Sequence, residues 1–355
     1  MTPAAALARR LGPADAALIA APHNRRFLTD FPSSDGWVLV TSADALFLTD
    51  SRYIEAARRA VADMPCLCYR RALETIGEQL AERKIRRLFV EADGMTLAEA
   101  ARLRAALPGM ELVGDASLDD WLSELRLTKT PAQLEKIRAA QALTEFGFSH
   151  ILSRIEPGRT EREIALDLEF AVRKAGAEAV AFDFIVVSGE NSSLPHGVPG
   201  ERVIQKGDFV TMDFGARVDG WHSDMTRTVA VGTVSEEQRR VYDTVLAAQE
   251  AALAVLRDGL PCVEGDRAAR EIIEVAGYGD CFGHGTGHGV GMEIHEQPRL
   301  SPLSGEQVLH TGAVVTVEPG IYLPGRFGVR IEDMVVITPD GCENLTHAPK
   351  ELLVL

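Results

Sequence analysis

Residues 209–232 read "FVTMDFGARVDGWHSDMTRTVAVG", and the architecture of the chain turns on how this stretch bends. Asp219-Gly220 is a strong two-residue turn signal between strand-like runs, so 209–229 is expected to form a hairpin. An even-length loop then puts the side chains of Asp213 and Asp224 on the same face. Aspartate is depleted in strands, and two carboxylates facing each other across a ladder repel. Asp213 lies among apolar neighbours in "FVTMDFGA", where an unmatched carboxylate is costly to bury. It therefore needs a cation or a proton.

The same anomaly recurs downstream. Glu318 follows "AVVTV" and Glu332 lies inside "GVRIEDMVVI", both runs that read as buried strand. Between the hairpin and these acids lies "GHGTGHGVGMEIHE", residues 283–296, with His284, His288 and His295. Glycine occupies every second position from Gly283 to Gly291. Each would cost a helix roughly 1 kcal/mol, which argues for an extended chain. His284 and His288 then share one face, and the bare face opposite admits another backbone closely. Gly285 stands where the zinc-protease pattern H-E-x-x-H requires glutamate, so that pattern is excluded. If Asp213, Asp224, Glu318, Glu332 and His288 converge, two divalent cations would balance them. Mixed carboxylate and imidazole ligation suits Mn(II), Co(II), Zn(II) or Fe(II) better than Ca(II) or Mg(II). Two such ions about 3.5–4 Å apart, bridged by hydroxide, hydrolyse an amide or ester at neutral pH.

The chain has 355 residues, which suggests two domains. With 46% hydrophobic and 25% charged residues, its composition is that of an ordinary globular protein. Fifty-two acidic against 37 basic residues give a net charge of -15, which argues against nucleic-acid and anionic-membrane partners. Five cysteines, odd in number and without zinc-ribbon spacing, point to a reducing cytoplasm, with Cys66 and Cys68 on a strand. Arg9, Arg10 and Asp15 interrupt any signal-peptide core, and no run of eighteen apolar residues is present.

Up to about residue 120, strand and helix patterns alternate. "GWVLVT" and "ALFLT" read as a strand pair, a helix capped by Ser51 follows, "RRLFVEA" is a buried strand, and Thr96 opens a helix through a capping box. At the junction, Thr130 caps a long helix with Pro131 at its first position, and a second helix starts at Thr160. Two helix-then-strand sets then succeed one another, as in an internally duplicated unit. The expected organisation is α/β (α+β): a small N-terminal α/β domain over 1–125 and a duplicated α/β domain over 126–355.

The ordered set Asp213, Asp224, His288, Glu318 and Glu332, in the contexts "MDFGARVDGWHSDMTRT", "GHGTGHGVGMEIHE", "VEPGIY" and "GVRIEDMV", resembles the pita-bread metallopeptidases. These are methionine aminopeptidase, aminopeptidase P and prolidase. The N-terminal domain and the junction "LRLTKTPAQLEKIRAA" are similar to those of the proline-directed branch.

The resemblance implies a pita-bread catalytic domain that cleaves Xaa-Pro bonds, in dipeptides as a prolidase or in longer peptides as an aminopeptidase P. It implies two divalent ions per subunit, Mn, Co or Zn with Mn favoured. Asp213 would chelate one ion, Asp224 and Glu332 would bridge, and His288 with Glu318 would complete the other. Glu318 would also serve as general base, and His295 would meet the scissile carbonyl. His196 would hold substrate from the opposite wall, and His284 would lie behind the site. Arg330 would fix the carboxylates beside the substrate, and Arg299 would grip a dipeptide's terminal carboxylate. His222 is placed on the other face of the hairpin and left out. The resemblance further implies a homodimer, in which Asp35 or Arg52 would close over a partner's site. The reading of a different class is a metal-free binding module or a creatinase-like enzyme, against which the five retained ligands speak.

Overall fold

In the computed structural model, which describes residues 1–355, the 209–232 stretch is a hairpin cut in two. Phe209–Phe214 pairs with Met225–Ala230 in one sheet, and Ala216–Val218 pairs with Trp221–His222 in another. The turn forms at Asp219 and Gly220, both at positive φ (49° and 84°), as a two-residue turn of the favoured hand requires. Asp213 stands opposite Thr226, and Asp224 falls in the gap between the two ladders.

The two later strands are cut in the same way. "AVVTVEPGIYL" divides into Val314–Val317 and Gly320–Leu323, and "FGVRIEDMVVIT" into Phe327–Arg330 and Asp333–Ile337. In each case the two pieces belong to different sheets, with Glu318 and Glu332 at the breaks. The expectation of acids in strand interiors is therefore corrected for Asp224, Glu318 and Glu332. A chain that leaves one sheet for another surrenders its ladder partners at the crossing, and these residues occupy the crossings. Their backbone N–H groups still find acceptors: Glu318 donates to the Thr286 carbonyl (2.7 Å) and Glu332 to that of Thr226 (3.1 Å).

The chain divides into Met1–Arg126 and Leu127–Leu355. The first unit is a six-stranded mixed sheet, ordered Cys66–Cys68, Ala45–Thr49, Trp37–Thr41, Asp15–Ile19, Arg87–Val90, Glu111–Val113. Thr96 caps Leu97–Ala106 through a complete capping box with Glu99. Ser51 does not cap; its helix begins at Ile54, and Asp50 gathers the preceding turn by accepting from the Arg52 and Ile54 N–H groups. Asp35 and Arg52 pair with each other at 2.7 Å on the exposed surface of this unit.

The second unit has two similar halves. Pro131–Ile151 and Glu161–Lys174, capped by Thr130 and Thr160, pack against the sheet of Ile185–Ser188, Phe209–Phe214 and Met225–Ala230. Phe148, Ile164 and Leu168 from the helices meet Val186, Met212 and Val229 from the strands. Glu236–Val255 and Cys262–Val275 repeat the arrangement over the five-stranded sheet that contains Val314–Val317 and Asp333–Ile337. There Val245, Ala248 and Ile273 meet Val315, Val317 and Val335. This is the duplicated α/β unit expected of the pita-bread fold. No helix is long and apolar enough to cross a membrane.

The glycine-rich segment forms the short strand Gly287–Gly289 between Glu296–Leu300 and Val314–Val317. A Cβ at Gly287 would overlap the Thr316 carbonyl oxygen, and one at Gly289 that of Gln297. The bare face is thus occupied by neighbouring strands. Gly283, by contrast, has open space around it. Gly287→Ala should lower the melting temperature by roughly 5 °C, the size expected when overpacking costs about 2 kcal/mol in a domain of this size. Gly283→Ala should leave it unchanged. Thermal denaturation of the two variants, both chelated, checks the contrast.

Candidate active site

The three strand breaks and the Gly287–Gly289 strand open onto one cavity of about 720 Å³. Asp213, Asp224, His288 and Glu318 line it, together with His196, His284, His295, Arg299 and Arg330. Glu332 lies just beneath, with a carboxylate oxygen within 4.8 Å of ligand atoms of both Asp224 and His288. The structure therefore brings the predicted acids and histidines together around one space. His222 lies outside it, buried with Nδ1 3.0 Å from the Gly291 carbonyl.

His288 shows what this space is for. Its Nδ1 lies 3.0 Å from the Gly289 carbonyl oxygen, an acceptor only, so Nδ1 carries the proton and Nε2 presents a lone pair. Burial pushes the imidazole down to about 3, which keeps it neutral. Yet Nε2 faces Glu318 Oε1 at 3.4 Å and Asp224 Oδ2 at 3.6 Å. Lone pair against carboxylate is repulsive on both sides unless a proton or a cation sits between them. Asp213 Oδ1, Asp224 Oδ1 and Glu332 Oε1 are also buried without a hydrogen-bond partner. Unpaired carboxylate oxygens around a neutral imidazole are the donor set of a divalent transition-metal site, and the residues fit such ions.

The carboxylates repel one another in titration as in geometry. Burial raises Glu332 and Asp224 well above the ordinary carboxylate range, reinforced by their acidic neighbours, and burial pushes Glu318 up to about 8. Burial likewise lowers His284 to about 4.

Arg330 holds the cluster from behind. Its Nη2 donates to Asp213 Oδ2 at 2.6 Å, its Nε to Thr226 Oγ1 at 3.0 Å and its Nη1 to the Tyr322 hydroxyl at 2.8 Å. The Thr226 hydroxyl donates in turn to Glu332 Oε2 at 2.7 Å. The Tyr322 hydroxyl lies 2.9 Å from His284 Nε2, whose Nδ1 lies 2.8 Å from the Gly285 carbonyl. His284 therefore lies in the cavity wall and accepts a hydrogen bond from the Tyr322 hydroxyl. Arg330 is 3% exposed with every guanidinium nitrogen engaged. That places it on the carboxylates, at the cavity wall.

Sequence reasoning missed Thr226 and Tyr322. Register alone would have found Thr226, which stands opposite Asp213 and two residues from Asp224. Tyr322 closes the "VEPGIY" stretch, but its role depends on contacts with Arg330 and His284 that no local pattern shows.

Toward solvent the wall is less constrained. His295 and His196 are exposed, and the His295 ring packs edge-on against His288 with centroids 4.3 Å apart. Arg299, opposite His288 in the ladder, is exposed to the cavity, and its guanidinium makes no ion pair or hydrogen bond within the chain.

Such a duplicated fold around a carboxylate-imidazole metal site defines a metal-dependent hydrolase. The chain belongs to metallopeptidase family M24, which it matches over residues 135–339, while residues 4–128 match the Creatinase/Prolidase N-terminal domain. It is 45% identical to a Xaa-Pro dipeptidase of Pyrococcus furiosus over 236 residues, covering 66% of this chain and 68% of that one. A solved Xaa-Pro dipeptidase from Bacillus anthracis superposes with TM-score 0.95 at 40% identity, over 99% of both chains. An X-Pro aminopeptidase from Thermotoga maritima superposes with TM-score 0.92 at 36% identity, over 98% of this chain and 100% of that one.

The buried acids make the metal-free protein sensitive to pH. Glu318 titrates near 8 in the folded chain against an ordinary value of 4.5. Between these values the folded chain keeps a proton that the unfolded chain has released, so stability falls as pH rises through the window. Chelated protein should melt lower at pH 8 than at pH 5.5, and added Mn(II) should raise the melting point more at the higher pH. A chelated protein equally stable at both would contradict the electrostatic account.

Proposed function

We propose that the protein is a Xaa-Pro dipeptidase. In this reading Asp213, Asp224, His288, Glu318 and Glu332 would hold two divalent ions. Mn(II) is favoured, with Co(II) and Zn(II) as alternatives. When bound, such ions supply Lewis acidity toward the scissile carbonyl and make water a nucleophile at neutral pH.

The chain's own side chains do the rest. A Glu318 carboxylate oxygen receives the proton of the attacking water and delivers it to the prolyl nitrogen as the amide breaks. His295 donates to the carbonyl oxygen as negative charge develops there. His196 holds the substrate from the facing wall, and Arg330 with Thr226 keeps Asp213 and Glu332 oriented. Proline lacks an amide N–H, so recognition must come from ring shape and a free end. Phe182, Val198 and Ile294 on the cavity wall offer apolar surface of the kind a pyrrolidine ring buries against.

One observation carries the choice of dipeptide: Arg299 faces the cavity with its guanidinium unengaged by the chain. A planar cation there matches a terminal carboxylate, which a dipeptide presents and a longer peptide replaces with an amide. Xaa-Pro aminopeptidase activity is the second reading, favoured by the likeness to the Thermotoga maritima enzyme.

A cytoplasmic setting belongs to the proposal, supported by five cysteines of which none is paired. So does a homodimer, for which Leu166 and Phe170, one turn apart and 59% and 69% exposed, offer an apolar face.

Hydrolysis of Ala-Pro against Ala-Pro-Ala, after chelation and addition of each metal in turn, tests the reading. Metal-dependent cleavage of the dipeptide alone is expected, and preference for the tripeptide would move the assignment to aminopeptidase. Asp213→Asn should abolish activity and remove one metal equivalent without unfolding the chain; full activity in that variant would sink the site. Arg299→Ala should raise KM for dipeptides about tenfold or more and leave tripeptides little changed, whereas equal effects on both would remove Arg299 from carboxylate recognition.

A further inference from the structure

Beneath the substrate side of the cavity lies an ion pair that the chemistry above does not use. Lys129, the third residue of the C-terminal unit, has a side chain with no exposure, and its Nζ donates to Glu296 Oε1 at 2.7 Å. The Glu296 side chain is 3% exposed. Lys129 Nζ also reaches the Leu127 carbonyl at 3.3 Å.

Position gives this pair its meaning. Along 295–300 the residues alternate: His295, Gln297 and Arg299 are exposed, while Glu296, Pro298 and Leu300 are buried. Glu296 is therefore the inward anchor of the segment whose outward side chains are His295 and Arg299. Glu296 also stands opposite Gly289 in the ladder, which closes the loop 290–295 at its base. A Cβ on Gly291 would overlap the Glu296 carboxylate, so the loop folds directly over it. At its other attachment, the Lys129 N–H donates to the Gly312 carbonyl at 2.8 Å, two residues before the strand Val314–Val317 that leads to Glu318. One residue thus ties the loop that presents His295 to the root of the strand that leads to Glu318.

We infer that Lys129 is a positioning residue: through Glu296 it fixes the His295–Arg299 segment relative to Glu318. An ion pair in a sealed site is a weak source of net stability, since desolvation offsets most of its attraction. What it does supply is direction. A charge-assisted hydrogen bond holds one register, where an apolar contact of equal volume would let the segment slide. The inference builds on the proposed contact of His295 and Arg299 with substrate.

The test replaces both charges at once, Lys129→Met with Glu296→Leu, because a single replacement would strand a buried charge. The double variant should fold, bind the same number of metal equivalents as wild type, and show a KM raised about tenfold or more with a smaller change in kcat. Wild-type KM would overturn the inference, as would loss of metal in proportion to activity, which would make the pair a support of the metal site. If the double variant does not fold, Lys129→Gln with Glu296→Gln removes both charges together and keeps two extended polar side chains; a raised KM then supports the inference and an unchanged KM overturns it. KM is read on whichever Xaa-Pro peptide the wild-type protein cleaves, so failure of the dipeptide reading leaves this test intact. If wild type cleaves neither peptide, amide hydrogen exchange over 290–296 decides: faster exchange in the variant supports the tether, and equal exchange refutes it.

Discussion

Carboxylates cannot share a cavity with a neutral imidazole unless positive charge joins them. Around His288 Nε2 that requirement is unmet by the chain itself, because the facing atoms of Asp224 and Glu318 are all acceptors. Everything near the site answers to it. Arg330 supplies the one protein cation that touches the cluster and is fully spent on Asp213, Thr226 and Tyr322. A single guanidinium cannot neutralise the acids, so the remainder comes from bound protons in the bare chain or from cations that displace them.

The geometry that gathers the ligands comes from interrupted strands. A side chain inside a ladder is bound to the sheet's alternation and to a neighbour on each side. At a crossing between sheets that restriction lapses, and three strands crossing at one place can aim three carboxylates at a common point. Asp224, Glu318 and Glu332 use this freedom. Asp213 and His288 stay within ladders, and their neighbours make room for them: Thr226 opposite Asp213, and glycines on both sides of His288.

Much of this was legible in the sequence. Turn chemistry at Asp219-Gly220, the caps at Thr96, Thr130 and Thr160, and the repeated helix-then-strand order all correspond to elements of the fold. Glycine alternation correctly opposed a helix over 283–291. The acids drew attention because apolar runs do not tolerate them. What was not legible depends on tertiary contact. Hydrophobic period does not register where a strand changes sheets, so "AVVTVEPGIYL" and "FGVRIEDMVVIT" read as unbroken. Ser51 carries a capping side chain, yet Asp50 beside it organises the turn instead, a competition that propensity does not rank. The bare glycine face is packed against the Thr316 and Gln297 carbonyls, the close backbone approach that the alternation implies.

The placement of ligands at strand crossings separates what folds the protein from what equips it for chemistry. The two apolar cores are built from helix pairs on their own sheets, while the three crossing acids lie where strands pass between sheets. The acids add electrostatic cost to the bare chain and are made tolerable by what they bind. A descendant that exchanged them for neutral residues would keep its ladders and shed that cost. The scaffold is thus free to be inherited without the reaction, with the same cavity and the same outward side chains around it.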